Sequence, residues 1–156
     1  MVEKRFDTLN LDMAGDISVV VKDTDDTPNE VLQLNKDWSV DVDWHLLGPA
    51  VTAIDGDWLL KVSMESLGEG YEGNIQGKDI LDKDLPPIEI ELEAQVVDST
   101  LTDRHWKKTV KAGPGIPNVP GVYKVVALVS YQTEWDIPLP MAGFAEADLI
   151  SFYKAA

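Results

Sequence analysis

Apolar and polar residues alternate with a period of two along most of the chain. In "IEIELEAQV", residues 88–96, the apolar side chains fall on one side of an extended chain and the glutamates and glutamine on the other. Because successive side chains of a β-strand point to opposite faces, this is the pattern of a strand with one buried face. Comparable runs occupy 16–23, 30–35, 37–48, 57–66, 87–98, 104–113, 121–132 and 147–155. We expect each run to be a strand.

Segments rich in glycine, proline and aspartate separate these runs. They lie at 23–29, 48–56, 68–77, 82–87, 112–121 and 136–144. Glycine and proline end strands here, since one permits positive φ and the other lacks a ladder donor. The segment 144–155 has helical propensity, but the alternation of Ile150 and Phe152 favours a strand. No stretch has the period of a long amphipathic helix.

About seven to eight short strands predict an all-β fold, either an antiparallel β-sandwich or a barrel. We favour the sandwich. The length of 156 residues suits one domain, which we place at 16–156. Residues 1–15 are expected to form an N-terminal strand or arm.

Two segments resemble the immunoglobulin-like and fibronectin type III superfamily. Trp58 in "GDWLLKVSM" is placed like the core tryptophan of that superfamily, early in a central strand. The segment "PGVYKVVALVSY" is similar to its sixth strand, and the resemblance implies that Tyr123 is a corner tyrosine whose hydroxyl bonds a nearby backbone group. The cysteine pair of antibody domains is absent. The resemblance covers roughly 16–154 and implies an immunoglobulin-like sandwich, without implying an activity.

The charge balance bears on partners and location. Thirteen basic against 28 acidic residues give a formal charge of −15, which repels nucleic acid and anionic membranes. There is no cysteine, which excludes disulfides and thiolate chemistry. Neither a signal peptide nor an apolar membrane span is visible. We therefore expect a cytoplasmic protein, with a removed leader as the alternative.

The segment "SVDVDWHLLG", residues 39–48, poses a specific question about metal binding. Alternation directs Val40, Val42, Trp44 and Leu46 inward and Ser39, Asp41, Asp43 and His45 outward. A transition-metal site needs two or three nitrogen ligands, and the chain has only His45 and His105. These meet only if their strands pair, which the sequence does not require. We expect the outward row to be a solvated face.

The strongest calcium candidate is the loop that contains Asp23, Asp25 and Asp26. A second donor cluster places Asp55 and Asp57 around Gly56. Carboxylate oxygens suit this ion, yet Pro28 and Leu34 replace the glycine and glutamate that an EF-hand requires. Aspartates also collect in turns because they bond their own backbone. We expect no cofactor, with calcium as the alternative.

Catalytic patterns are absent from the sequence. No G-x-S-x-G and no phosphate-binding glycine loop occurs, and the glycines of 68–77 suit a flexible hairpin loop. We name no catalytic residue.

Aromatic residues provide the candidate binding positions. These are Trp106, Trp135, Phe144 and Tyr71. Trp106 and Trp135 have charged neighbours, as interface anchors often do, although each could equally cap the core. We expect a non-catalytic protein-interaction or assembly module whose partner is another protein or a second copy. The alternatives are a calcium-dependent module that binds carbohydrate or a surface, and a small hydrolase.

Overall fold

The computed structural model describes residues 3–8, 13–54, 56–78, 81, 83–90, 96–99, 102–132 and 138–155. Within these ranges the chain forms strands and one short 3₁₀ helix, Pro49–Ala53. The strands are β1 (Lys4–Asp7), β2 (Ala14–Lys22), β3 (Val31–Gln33), β4 (Ser39–Leu47), β5 (Asp57–Ser66), β6 (Gly73–Asn74), β7 (Ile88–Ile90), β8 (Val96–Ser99), β9 (Asp103–Lys111), β10 (Gly121–Gln132), β11 (Pro138–Glu146) and β12 (Ile150–Tyr153). The predicted all-β class is confirmed, with more and shorter strands than the seven to eight expected.

The strands form two sheets. In the large sheet β10 is central. One edge of β10 pairs with β5; the other edge pairs with β12 at the start of β10 and with β11 over the rest. Strands β1 and β3 pair with the far sides of β11 and β12, while β6 and β7 pair with β5. The small sheet has the order β2, β4, β9, β8. All of these pairings are antiparallel except that of β3 with β12. The sandwich is thus almost wholly antiparallel.

Tryptophans from both sheets fill the centre of the core. Trp44 of β4 and Trp106 of β9 stack with their ring centroids 6.3 Å apart. Both pack edge-on against Trp58 of β5, at 5.8 Å and 5.4 Å respectively. Tyr131 and Phe6 also contact Trp58. We call these five residues the aromatic cluster. It confirms the core position predicted for Trp58, and the inward row of β4 is buried as predicted.

The expected corner tyrosine is present. Tyr123 is fully buried, and its hydroxyl donates a hydrogen bond to the carbonyl oxygen of Val119 at 2.6 Å. Burial raises the pKa of Tyr123, although a backbone hydrogen bond from Tyr71 acts in the opposite direction. The phenol therefore stays protonated and keeps donating to Val119. This contact fixes the turn that leads into β10.

Two segments differ from the sequence-based expectation. The run 87–98 was expected to be one strand, but its described ends lie in different sheets, β7 beside β5 and β8 beside β9. Alternation specifies an inward face, whereas the choice of sheet depends on distant partners. The segment 136–144 was expected to end strands, yet it contributes most of β11. Pro140 lies where the register between β10 and β11 is irregular, a position at which proline is tolerated in a sheet.

Replacing Tyr123 by phenylalanine tests the corner contact. We expect Tyr123→Phe to lower the free energy of unfolding by about 0.5 to 1.5 kcal/mol, because the hydrogen bond from the Tyr123 hydroxyl to the carbonyl of Val119 is lost. Urea unfolding measures the change. The matched control is Tyr153→Phe, since Tyr153 is 47% exposed. Equal unfolding midpoints for the two variants would show that the hydroxyl does not stabilise this turn.

Candidate functional site

Apolar side chains are exposed on the outer face of the large sheet. Leu128, on the outward side of β10, is 46% exposed. It lies between Lys61 of β5 and the half-buried Phe144 of β11, and Arg5 of β1 ends this row. The predicted binding residue Phe144 is thus brought next to an exposed leucine. Both side chains lie on the outer face of the sheet, away from the core between the two sheets.

Two further apolar side chains are exposed near the other end of the same face, beyond Lys124, which is ion-paired with Glu146. Val122 is 40% exposed and Val31 is 55% exposed, and both pair with Ser151 of β12. We call Val31, Val122, Leu128 and Phe144 the outer patch. Sequence reasoning missed three of these residues. The sequence of β10 did contain a sign of this surface. Valine and leucine occur at both odd- and even-numbered positions of the strand, although only one of its faces is buried.

The outer face of the small sheet is polar and interconnected. Asp41 is only 4% exposed, and its carboxylate accepts hydrogen bonds from Lys22 Nζ and Thr109 Oγ1, each at 2.5 Å. The ammonium of Lys107 lies 3.6 Å away. The expectation that Asp41 is solvated is wrong, because long side chains from both neighbouring strands cover it. The remainder of this row is half-buried.

These contacts determine the charge state of Asp41. Burial acts to raise its pKa, but the hydrogen bonds from Lys22 and Thr109 and the charges of Lys22 and Lys107 outweigh burial. The pKa of Asp41 is therefore below its usual value. Lys22 has a raised pKa, chiefly through its hydrogen bond to Asp41. Both groups are charged at neutral pH, and their role is to hold three strands together.

Two histidines meet beside this network. His45 of β4 and His105 of β9 are directly paired, and their ring centroids lie 4.0 Å apart at an interplanar angle of 89°. His105 Nε2 lies 3.2 Å from Asp43 Oδ1. The strands that carry the two histidines are therefore neighbours, which the sequence had left open. It gathers the two histidines of the chain and a carboxylate on one open face.

The acidic loop forms a tight turn that uses one of its own carboxylates. Asp23 accepts hydrogen bonds from the backbone N–H groups of Asp25 and Thr27 and from the Asn29 side chain. The Asn29 contact, followed by the Thr27 amide, lowers the pKa of Asp23. Asp26 has a φ of 59° and lies 3.5 Å from Lys22 Nζ. In the part of the chain that is described, no group of three acidic or histidine side chains is arranged to hold a metal ion.

The remaining aromatic candidates have different positions. Trp106 is fully buried in the aromatic cluster, so it is not an exposed binding residue, and of its two interpretations the core position is correct. The adjacent His105 and Lys107 lie on the opposite face of β9. Trp135 lies outside the described residues. Tyr71 is half-buried, donates to the carbonyl of Asn74 at 2.7 Å, and has Lys78 Nζ 5.5 Å from its ring centroid.

The glycine-rich segment 68–77 packs against the sandwich. Asn74 and Ile75 are buried, and Asn74 donates to the carbonyl of Leu85. Gly70 lies against the Tyr123 ring, where any side chain would collide. This segment therefore supports the corner and is not the free hairpin loop expected from its glycines.

No protein-family model and no curated protein matches the chain. Among solved structures, it is similar to the CARDB domain of a Pyrococcus furiosus protein in complex with di-metal ions, with 14% identity over 94% of this chain and 100% of the other, and a TM-score of 0.46. It is also similar to the C-terminal domain of Wzt, with 11% identity over 99% of this chain and 78% of the other, and a TM-score of 0.43. At these values neither likeness bears on what the chain binds.

In the part of the chain that the structure describes, no helix has the length and apolarity needed to cross a membrane.

Neutralising Asp41 tests the polar network. At neutral pH we expect Asp41→Asn to lower the free energy of unfolding by about 1 to 3 kcal/mol, the range for hydrogen bonds to a buried charged group. Because the folded pKa is depressed, this stabilisation is present above the ordinary carboxyl pKa of about 3.9 and is lost as pH falls through the folded pKa. The two proteins should therefore converge in strong acid.

Chemical unfolding at several pH values measures this difference. The control is Asp16→Asn, which removes an exposed ion pair with Lys4 and should change stability by less than about 1 kcal/mol. A difference between wild type and Asp41→Asn that stays constant into strong acid would contradict the assignment of the effect to the charge of Asp41.

Proposed function

We propose that the chain is a non-catalytic protein-interaction module that binds its partner through the outer patch. The observation that carries the proposal is the exposure of apolar side chains in two rows on one sheet face. Apolar surface left in water costs free energy that a docking protein recovers by covering it. Ion-paired residues flank the patch: Lys61, paired with Asp84, and Arg5, paired with Asp7, end the Leu128 row. Such a mixture of an apolar centre and a charged rim is typical of protein interfaces.

Charge favours a different protein over a second copy as the occupant. Two copies in contact would bring together two formal charges of −15. Screening at physiological ionic strength acts over about 8 Å, so an interface does not escape this repulsion. A partner with a neutral or basic rim would instead be attracted. We therefore assign the patch to a heterologous protein that is less acidic than this chain.

The buried polar groups support a binding role over a catalytic one. The most buried carboxylate of the small sheet, Asp41, is held by two lysines and a threonine. A carboxylate saturated in this way stabilises the fold and is not poised to accept a proton from a substrate. The proposal accordingly places function on the surface of the sandwich.

Substituting single residues of the outer patch tests the proposal. We expect Leu128→Lys and Val122→Lys each to weaken partner binding at least tenfold, which corresponds to about 1.4 kcal/mol. The control is Leu47→Lys, the same change as the first at 45% exposure on the small sheet. Partners are identified by quantitative affinity capture with all four proteins, and affinities are then measured with the purified partner by calorimetry.

Two results would contradict the proposal. Equal affinity of wild type and Leu128→Lys for the purified partner would place its binding elsewhere. A light-scattering mass that rises with concentration for wild type, but not for Leu128→Lys, would make a second copy the occupant. Because all the changed side chains are exposed, each variant should keep its stability within about 0.5 kcal/mol.

A second candidate, calcium-dependent binding of carbohydrate, is favoured by one cleft of about 360 Å³. Asp23 and Asp25 of the acidic turn line it together with Asn29, Gln33 and Tyr153. A half-exposed aromatic ring beside amides and carboxylates offers a flat apolar face and polar edges, which together suit a sugar.

The melting temperature discriminates this second candidate. If the acidic turn binds calcium, millimolar calcium should raise the melting temperature by several degrees relative to chelator. Asp25→Asn should abolish the rise, whereas Asp148→Asn, which alters an exposed carboxylate elsewhere, should keep it. Identical wild-type curves in calcium and chelator would remove the calcium-dependent function.

A further inference from the structure

We propose that His45, His105 and Asp43 bind a divalent transition-metal ion, with zinc as the reference ion, on the outer face of the small sheet. The site is separate from the outer patch, which lies on the other sheet. The three residues come from two adjacent strands, so the register of β4 and β9 holds them together. Two imidazoles and one carboxylate form a donor set that suits zinc and its neighbours in the periodic table.

The distance between two of the donor atoms supports the proposal. Ligands of a tetrahedral zinc ion with bonds of about 2.0 to 2.1 Å lie about 3.3 Å from each other. His105 Nε2 and Asp43 Oδ1 are 3.2 Å apart. An ion can therefore bridge these atoms while their separation barely changes. Zinc takes neutral imidazole, so a proton carried by His105 Nε2 would pass to Nδ1 or to solvent when the ion binds.

His45 completes the set by turning its ring. Its centroid is already 4.0 Å from that of His105, and the rings are perpendicular. Among the described residues no three ligands stand ready-made, so the third bond forms when His45 rotates towards the bridged pair. Such a rotation is open to a half-buried side chain on a solvent-facing row. A water molecule would take the fourth position.

The surroundings admit a cation. The side chains of His105 and Asp43 are 23% and 32% exposed, so an ion can reach them from solvent. Asp16 is the Cα partner of His45 on the outer strand β2, and its carboxylate lies 2.9 Å from Lys4 Nζ. Lys107 of β9 is the Cα partner of Asp43, but its ammonium group lies 3.6 Å from the carboxylate of Asp41. The charge of −15 also attracts cations.

The histidine content of the chain makes the test direct. The chain has only two histidines, so each ring signal in a proton NMR spectrum is assigned by a single substitution. Zinc is titrated into untagged, metal-free protein. We expect both histidine signals to shift together and to saturate at one equivalent. His45→Gln and His105→Gln should each weaken zinc binding at least about tenfold, as expected when a metal site loses a ligand or its support.

Asp43→Asn separates the proposed site from simple imidazole binding. We expect it to weaken zinc binding as well, because the amide is a poorer ligand than the carboxylate, while Asp148→Asn leaves the affinity unchanged. Circular dichroism of each metal-free variant confirms that it is folded. A shift of one histidine signal alone, or equal zinc affinity of wild type and His105→Gln, would overturn the proposal.

Discussion

The packing of three tryptophans between the two sheets is the contact on which the arrangement of the molecule depends. Trp44 and Trp106 come from neighbouring strands of the small sheet, and both lie edge-on to Trp58 of the large sheet. Aromatic pairs of this geometry contribute about 0.5 to 1.5 kcal/mol each beyond their burial. All three rings are essentially removed from solvent. The three tryptophans therefore form a well-defined contact between the two sheets.

This contact also sets the outer face of the small sheet. Trp44 and Trp106 are directly paired across β4 and β9. Their neighbours in sequence are consequently paired on the opposite face, which brings His45 to His105 and Asp43 to Lys107. Because side chains alternate, a slip of one residue would expose a tryptophan and bury a charge. The inward aromatic residues thus determine which polar groups meet outside.

The first strand closes the core through a close approach to two glycines. The ring of Phe6 lies between Gly15 of β2 and Gly143 of β11, at positions where a β-carbon on either glycine would collide with it. Small residues in these strands make room for the ring to reach Trp58. The outer face of the large sheet carries the outer patch, whereas that of the small sheet carries the charges linked to Asp41. Protein docking and ion binding would accordingly use opposite sides of the molecule.

The sequence by itself determined several of the long strands and the inward face of β4, although it missed β11, whose segment was expected to end strands. Alternation is a local property, so it identified the inward row of β4 and the full extent of β5 and β10. The resemblance to immunoglobulin-like domains placed Tyr123 at its corner, because the turn before its strand is also local in sequence.

Only the tertiary structure decided which strands lie side by side. Trp106 has charged neighbours on both sides, and only the pairing of β9 with β4 shows that these face outward while the ring fills the core. The meeting of His45 with His105 has the same origin. So does the division of 87–98 between two sheets. Pairing depends on contacts between residues far apart in the chain, and alternation along one strand carries no information about its neighbour.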